Sequence, residues 1–329
     1  MSIVVTGGAG YIGAHVVRLL QLAGQKVVIV DDMSTGSHDR VPADVPLIEL
    51  DIAAAGATEI LAAAFAEHEA SAVIHFAARK RVGESVERPT WYYQQNVGGM
   101  VNLLAAMEAS SVPKLVFSSS AAVYGQPDSG YVAEKTAQEP INPYGQTKLV
   151  GEWLARAATT AWGLQYVGLR YFNVAGAGWP ELADTVALNL IPMVFEKLCA
   201  NRAPQIFGTD YPTPDGTCIR DYIHVKDLAE AHLQALAYLD SGRNVFDAFN
   251  IGTGNGASVR EVIDLVGEVT GLDTTADELP RRPGDPALLV ADPALAASEL
   301  GWTASHDLAD MVKSAWEGWP QAPRHTAAH

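Results

Sequence analysis

Cysteine is nearly absent. Only Cys199 and Cys218 occur in 329 residues, at a spacing that fits neither a metal site nor a redox pair. The expectation is two reduced, buried thiols in a cytosolic protein. Positive charge is also scarce: 22 Lys and Arg stand against 38 Asp and Glu, a net charge of −16. That balance argues against nucleic acid or an anionic membrane as a partner, since both need basic patches. A few local Arg and Lys residues can still hold a small anion. No apolar run approaches the ~20 residues that a membrane span requires. The apolar strand Ile3-Val4-Val5 starts so early that it leaves no room for a signal peptide. Internal repeats and low-complexity segments are missing, and the tail histidines His325 and His329 do not make a metal site. These exclusions leave a soluble, cytoplasmic globular chain, long enough for one large domain or two closely joined ones.

Glycine is concentrated at one turn. Thr6-Gly7-Gly8-Ala9-Gly10-Tyr11-Ile12-Gly13 satisfies both G-x-x-G-x-x-G and G-x-G-x-x-G, and it lies between a strand and a helix predicted to about Ala23. Glycine is needed where backbone approaches a pyrophosphate and where a helix packs close to a strand. The helix N-terminus then aims its amides at the phosphates. The second strand, Lys26 to Val30, ends at Asp31. A carboxylate there binds the adenosine ribose hydroxyls and repels a 2′-phosphate, which favours NAD over NADP.

Further strands are predicted at Leu47–Leu50, Ala72–Phe76, Lys114–Phe117 and Leu164–Leu169, alternating with helices. His75, inside such a run, reads as a packed core histidine. Gly7, Asp31, Asp51, Lys80 and Ser120 each fall just past the carboxyl end of a separate apolar run. In an open parallel sheet that is the edge where ligands bind. The fold class is therefore α/β: a Rossmann-type doubly wound parallel sheet with right-handed crossovers. Beyond Leu169 the rhythm breaks into Gly- and Pro-rich loops at 176–180 and 208–216. Asn173, Asn189, Arg220, Arg282 and Asp285 offer a polar and cationic lining for a second, anionic ligand. A helix over 226–239 and a strand at 249–251 return to the first domain, and helices over 258–269 and 308–316 belong to a smaller C-terminal α+β lobe. The expected division is 1–170, with 222–252 returning, for the cofactor and 171–329 mainly for substrate. The tail 321–329 is expected to fray.

One stretch carries the chemistry: Asn142-Pro143-Tyr144-Gly145-Gln146-Thr147-Lys148. Asn and Pro read as an N-cap followed by Pro at the first helical position. Tyr144 and Lys148, four residues apart, then share a helix face. A nearby ammonium, the helix terminus and a cationic cofactor all favour the phenolate. Lowering the phenol pKa by ~3 units needs about 4 kcal/mol of differential stabilisation, and these terms supply it.

With these residues assembled, the chain resembles the nucleotide-sugar epimerases of the extended short-chain dehydrogenase/reductase family, the UDP-glucose 4-epimerases among them, over nearly its whole length. The likeness rests on Gly7–Gly13, Asp51-Ile52, His75-Phe76-Ala77, Val82–Val86, Ser118–Gly125 and Tyr144–Lys148. It continues through Leu169–Asn173, Phe207–Tyr211, Arg220–His224 and Arg282–Asp285. The resemblance implies interconversion of UDP-galactose and UDP-glucose through a 4-keto sugar, with NAD tightly bound and regenerated in each turnover. Tyr144 would take the 4-OH proton, Ser120 would hydrogen-bond the same oxygen, and Lys148 would hold the nicotinamide ribose and tune Tyr144. It also implies cofactor contacts at Gly7, Gly10, Tyr11, Ile12, Gly13, Asp31, Asp51, Ile52, Phe76, Ala77, Lys80, Gln95, Ser118 and Tyr171. The UDP half would lie against Asn173, Asn189, Leu190, Phe207, Arg220, Arg282 and Asp285, and a homodimer is expected. Leu289 matches a position near the sugar C2 substituent, where Tyr excludes N-acetyl sugars and Cys or Ser admits them.

The chain departs from the family in three places. Segment 175–188 is shorter than the usual Gly- and acid-rich one, Gln95 stands where Asn is common, and so does Asp32. The competing readings are a 4-epimerase of a UDP-N-acetyl sugar, uronate or pentose, a nucleotide-sugar dehydratase or decarboxylase, and a non-catalytic NAD-sensing module. Dehydratases place acids right after the Ser120 position, whereas Ala121-Ala122 follows here. Sensing modules lose the Tyr/Lys pair.

Overall fold

The computed structural model describes residues 1–242, 247–282 and 284–322. Pro283 and the tail from 323 onwards, named above, lie outside the described residues. The chain opens with β1 (Ser2–Thr6), α1 (Tyr11–Leu22), β2 (Val27–Asp31), β3 (Leu47–Glu49), α2 (Ala57–Glu67) and β4 (Ala70–His75). Two short helices follow, α3 (Val82–Glu87) and α4 (Pro89–Tyr92), the second running through a π-helical turn (Tyr93–Gly98) into α5 (Gly99–Ala109). Then come β5 (Lys114–Ser120), β6 (Tyr131–Val132), α6 (Pro143–Trp162), β7 (Gln165–Tyr171) and β8 (Asn173–Ala175). The rest is α7 (Leu190–Cys199), β9 (Gln205–Phe207), β10 (Ile219–His224), α8 (Val225–Asp240), β11 (Ala248–Ile251), β12 (Gly256–Ser258), α9 (Val259–Thr270), β13 (Asp277–Leu279), β14 (Leu288–Ala291) and α10 (Leu308–Glu317).

Seven strands form one sheet in the order β11-β7-β5-β4-β1-β2-β3, and every neighbouring pair is parallel. Runs such as Val4-Val5 and Val73-Ile74 are buried on both faces, as strands covered by helices on both sides must be. α1 and α8 pack on one face, α2, α5 and α6 on the other. From β1 the chain winds outward to β3, then crosses back to lay β4 against β1. That reversal opens a crevice at the carboxyl ends of β1 and β4, where open α/β sheets bind ligands.

A second sheet, β12-β10-β14-β6 with β8 also paired to β10, carries the C-terminal lobe. α7, α9 and α10 close a separate apolar core around Phe195, Ile206, Val262 and Met311. Asp221 on β10 is buried and knits this lobe together, accepting hydrogen bonds from Thr253, Gly254 and Ala291 amides. β10 runs straight into α8, so the chain passes from the small sheet back to the large one without a linker. Among the described residues no helix is long and apolar enough to cross a membrane.

Candidate active site

The glycine turn sits in the β1/β4 crevice. Gly7 has φ +75°, and a Cβ there would lie 2.8 Å from the Ala77 amide. At Gly13 a Cβ would come within 2.2 Å of the Gly7 carbonyl, so any side chain would push α1 off the turn. Asp31 ends β2 nearby and accepts the amides of Ala9 and Met33, each at 3.0 Å. Burial pushes its pKa up, opposed by those two amides. Around this end lie Gly7, Gly10, Asp31, Asp51, Ile52, Ala77 and Gln95, together with Asp32, Ser34 and Arg79.

The neighbouring cavity, about 460 Å³, gathers Tyr11, Ile12, Lys80, Ser120, Tyr144, Lys148, Tyr171, Asn173, Asn189, Arg220, Asp285 and Leu289. Its floor is the start of α6. Asn142 caps that helix, its Oδ1 accepting the Gly145 amide at 2.9 Å, and Pro143 takes the first helical position. Lys148 is buried, donates from Nζ to the Ser118 carbonyl at 2.7 Å, and lies 6.0 Å from the Tyr144 ring centre. Desolvation lowers its pKa to about 7. The protein alone raises the Tyr144 pKa, since burial penalises the phenolate more than the Ser120 hydroxyl favours it, and the lowering expected from the sequence counts a cationic cofactor among its terms. Lys148 lies in the same desolvated floor, and burial lowers its own pKa as well, which weakens the positive charge it offers its neighbour.

Next to this floor lies a second pocket that shares Asn173, Asn189, Arg220 and Asp285 and adds Leu190, Phe207 and Arg282. The Arg282 guanidinium lies over the Phe207 ring at 3.8 Å. Arg220 is steered by the Pro286 carbonyl at 2.7 Å and by Asp285 at 3.5 Å. Asn173 donates to the Asp221 carbonyl and Asn189 to Asp184, both at 3.0 Å. Three expected cofactor residues line none of these cavities: Gly13, Phe76 and Ser118. Gly13 fits helix to turn, Phe76 packs its ring 4.7 Å from His232, and the Ser118 hydroxyl bonds the Tyr171 phenol. His75 is a core residue, bonded to Thr6 Oγ1 at 2.6 Å.

A parallel sheet with its ligand edge at a strand-order reversal, and a serine beside a Tyr-x-x-x-Lys pair on that edge, define a dinucleotide-dependent short-chain dehydrogenase/reductase. Within that class the chain belongs to the NAD dependent epimerase/dehydratase family, whose model matches residues 3–252. It is 48% identical over 322 residues to the UDP-glucose 4-epimerase of Azospirillum brasilense, covering 96% of this chain and 91% of that one. Two solved structures superpose closely. The UDP-glucose 4-epimerase of Brucella ovis in complex with NAD gives a TM-score of 0.91 at 42% identity, covering 95% of this chain and 97% of that one. The enzyme of Stenotrophomonas maltophila, with bound NAD and formylated UDP-arabinopyranose, gives 0.90 at 43% identity and covers 97% of each chain.

Proposed function

We propose that this chain is an NAD-dependent 4-epimerase that interconverts UDP-galactose and UDP-glucose. One observation carries the reading: Tyr144, Lys148 and Ser120 line a cavity that adjoins the glycine-turn groove through the chain neighbours Gly10-Tyr11 and Arg79-Lys80 and shares Asn173, Asn189, Arg220 and Asp285 with the arginine-bearing pocket. NAD fits the groove on its own terms. Side chains at Gly7 and Gly13 would clash with the Ala77 amide and the Gly7 carbonyl and break the close fit of turn, strand and helix that shapes it, and Asp31 stands at the ribose end with a carboxylate that disfavours a 2′-phosphate. When bound, NAD+ would supply a reversible hydride acceptor for the sugar C4 and a positive charge that favours the Tyr144 phenolate. Tyr144 takes the 4-OH proton and later returns it, while Ser120 holds that oxygen. Lys148 holds the cofactor ribose and lends Tyr144 its charge when protonated. Arg220 and Arg282 neutralise the diphosphate, and Phe207 and Asn189 border the UDP half. Firm UDP binding leaves the 4-keto sugar free to rotate between its two hydride-transfer poses.

The sugar range follows from Leu289, which lines the catalytic cavity on β14 and packs on the cluster of Ala121 and Phe172. A packed Leu resists added bulk by ~1–3 kcal/mol, so N-acetyl sugars should be poor substrates. A homodimer is supported by Tyr93, Val101 and Trp153, which stand 38%, 48% and 55% exposed along the adjoining helices α5 and α6 and the π turn. Trp153→Glu should shift the species seen by analytical ultracentrifugation from dimer to monomer, and an unchanged profile would remove that face from the interface. The unpaired thiols of Cys199 and Cys218 suit a reducing cytoplasm.

The decisive experiment incubates purified protein with UDP-glucose, UDP-galactose, their N-acetyl counterparts, a UDP-uronate and a UDP-pentose, without added NAD. Conversion of the plain hexoses, with NAD released on acid denaturation, is expected. No NAD released and no conversion after NAD is supplied would refute the reading.

A further inference from the structure

Arg79 follows β4 and reaches across the adenosine end of the groove. Its Nη2 donates to Asp32 Oδ2 at 2.6 Å and to Gln95 Oε1 at 2.9 Å, its Nε donates to the same Gln95 oxygen at 3.0 Å, and its Nη1 bonds the Ser34 hydroxyl. The guanidinium also lies 5.3 Å from the centre of the Trp91 ring. Its backbone is held as well. Asn96 Oδ1 accepts the Arg79 amide at 2.8 Å, and Asn96 Nδ2 donates to the Arg79 carbonyl and to Thr147 on α6, both at 3.0 Å. Asp32 and Ser34 belong to the loop after β2, whereas Gln95 belongs to the π-helical turn on the other side of the groove. The arginine therefore ties two walls together. Between them remains a cavity of about 80 Å³, small beside the roughly 300–1,000 Å³ of sites that enclose drug-sized ligands.

The partners make the point sharper. Two of the three departures from the family pattern, Asp32 and Gln95, are the residues that grip Arg79. A charged pair and a bifurcated amide acceptor at those positions serve no local need. Asp32 already caps Ser34, and the pair it makes with Arg79 is only half-buried. Together they hold a planar fork in one orientation, as a pre-organised arginine contact requires.

We propose that Arg79 is a cofactor-binding residue: held by Asp32, Ser34 and Gln95, it straps the adenosine half of NAD into the groove and sets how slowly the cofactor leaves. This rests on the reading of the groove as an NAD site. Asp32 also neutralises the guanidinium, so the strap closes over adenosine without creating a free cation that would welcome a 2′-phosphate.

The test loads the full-length protein with radiolabelled NAD, adds excess unlabelled NAD, and follows loss of label by gel filtration. Arg79→Leu and Asp32→Asn should each speed release by at least about tenfold, the scale of one charge-assisted contact. The double variant should release no faster than Arg79→Leu alone, since Asp32 acts through the arginine. Arg79→Lys, which keeps the charge and loses the fork, should also release faster, and it serves if Arg79→Leu fails to fold. Release within about twofold of the parent in both Asp32→Asn and Arg79→Lys would overturn the strap, as would multiplicative effects in the double variant. A parent protein that takes up no label would overturn the NAD reading itself.

Discussion

Tyr144 and Lys148 are held in a floor where neither group is charged cheaply. The phenol is pushed up and the ammonium down to about 7 by the same desolvation. On the proposed reading, Tyr144 would work as a general base only when positive charge arrives with the cofactor, which would tie proton transfer to a loaded site. Tyr144→Phe should therefore lower turnover by at least about 100-fold, while UDP affinity, measured by calorimetry, stays close to the parent because Arg282 and Phe207 line the adjoining pocket, which Tyr144 does not line. Near-parental turnover would remove Tyr144 from the mechanism. These residues were legible because Asn-Pro-Tyr-x-x-x-Lys and the glycine turn are contiguous signals with local physical meaning. The grip on Arg79 was not, because its partners Asp32 and Gln95 lie 47 and 16 positions away and meet only through the fold. The desolvation of Tyr144 and Lys148 was not legible for a related reason. Sequence spacing gave the lysine neighbour but not the burial of both groups.

At the scale of elements, α6 has to be held rigidly, since it presents Tyr144 and Lys148 from its first two turns. Glu152, one turn further on, is fully buried and anchors it. Its Oε1 accepts the Ser119 hydroxyl at 2.6 Å and Arg170 Nε at 2.9 Å, and its Oε2 accepts Arg170 Nη2 at 2.6 Å. Ser119 and Arg170 are register partners on β5 and β7, so one carboxylate pins the helix to both strands beside Ser120. Removing one member of a buried pair leaves the other charge uncompensated, at about 3–5 kcal/mol. Glu152→Ala should lower the melting temperature by roughly 10 °C, and a loss below about 1 kcal/mol in denaturant titration would show that the pair does not anchor α6. The long elements of the first sheet could be read from apolar runs of helical or strand length. The two- and three-residue strands β6, β8, β9, β12 and β13 could not, because such lengths carry no period and their pairings, such as Tyr131 with Val290, are set by distant chain. α7 was also missed, its Asn189 cap having no side-chain bond to the helix amides.

Across the whole molecule, the two sheets meet through buried histidines, and this dictates how stability responds to acid. His15 on α1 bonds the Tyr11 carbonyl from Nδ1 and accepts the Gly178 amide at Nε2, at 2.9 Å, tying the first sheet's helix to the loop after β8. His224, at the join of β10 and α8, accepts the Lys226 amide at Nδ1 and meets Ser314 through Nε2. His75 and His232 lie in the large sheet's core. Desolvation lowers all four, His15, His224 and His232 to about 4 and His75 to about 3. Protonating His15 or His224 would also cost the amide bond its ring nitrogen accepts. The unfolded chain titrates these rings near pH 6.5, so between about pH 6.5 and 4 it binds protons that the native state refuses. Stability must then be full above that window and fall as pH drops through it, by up to about 5 kcal/mol per pH unit if all four contribute. Asp31, Glu134 and Asp221, whose carboxyls burial raises, oppose this at the lower end. Calorimetric melting of the cofactor-free protein should give a flat limb near neutrality and a steep one below pH 6.5. His15→Gln should shallow that limb by about one proton's worth, whatever it does to the neutral melting temperature. A melting temperature that does not change between pH 6.5 and 5 would mean that these histidines are protonated in the native state, and that the junction of the two sheets is not held by neutral rings.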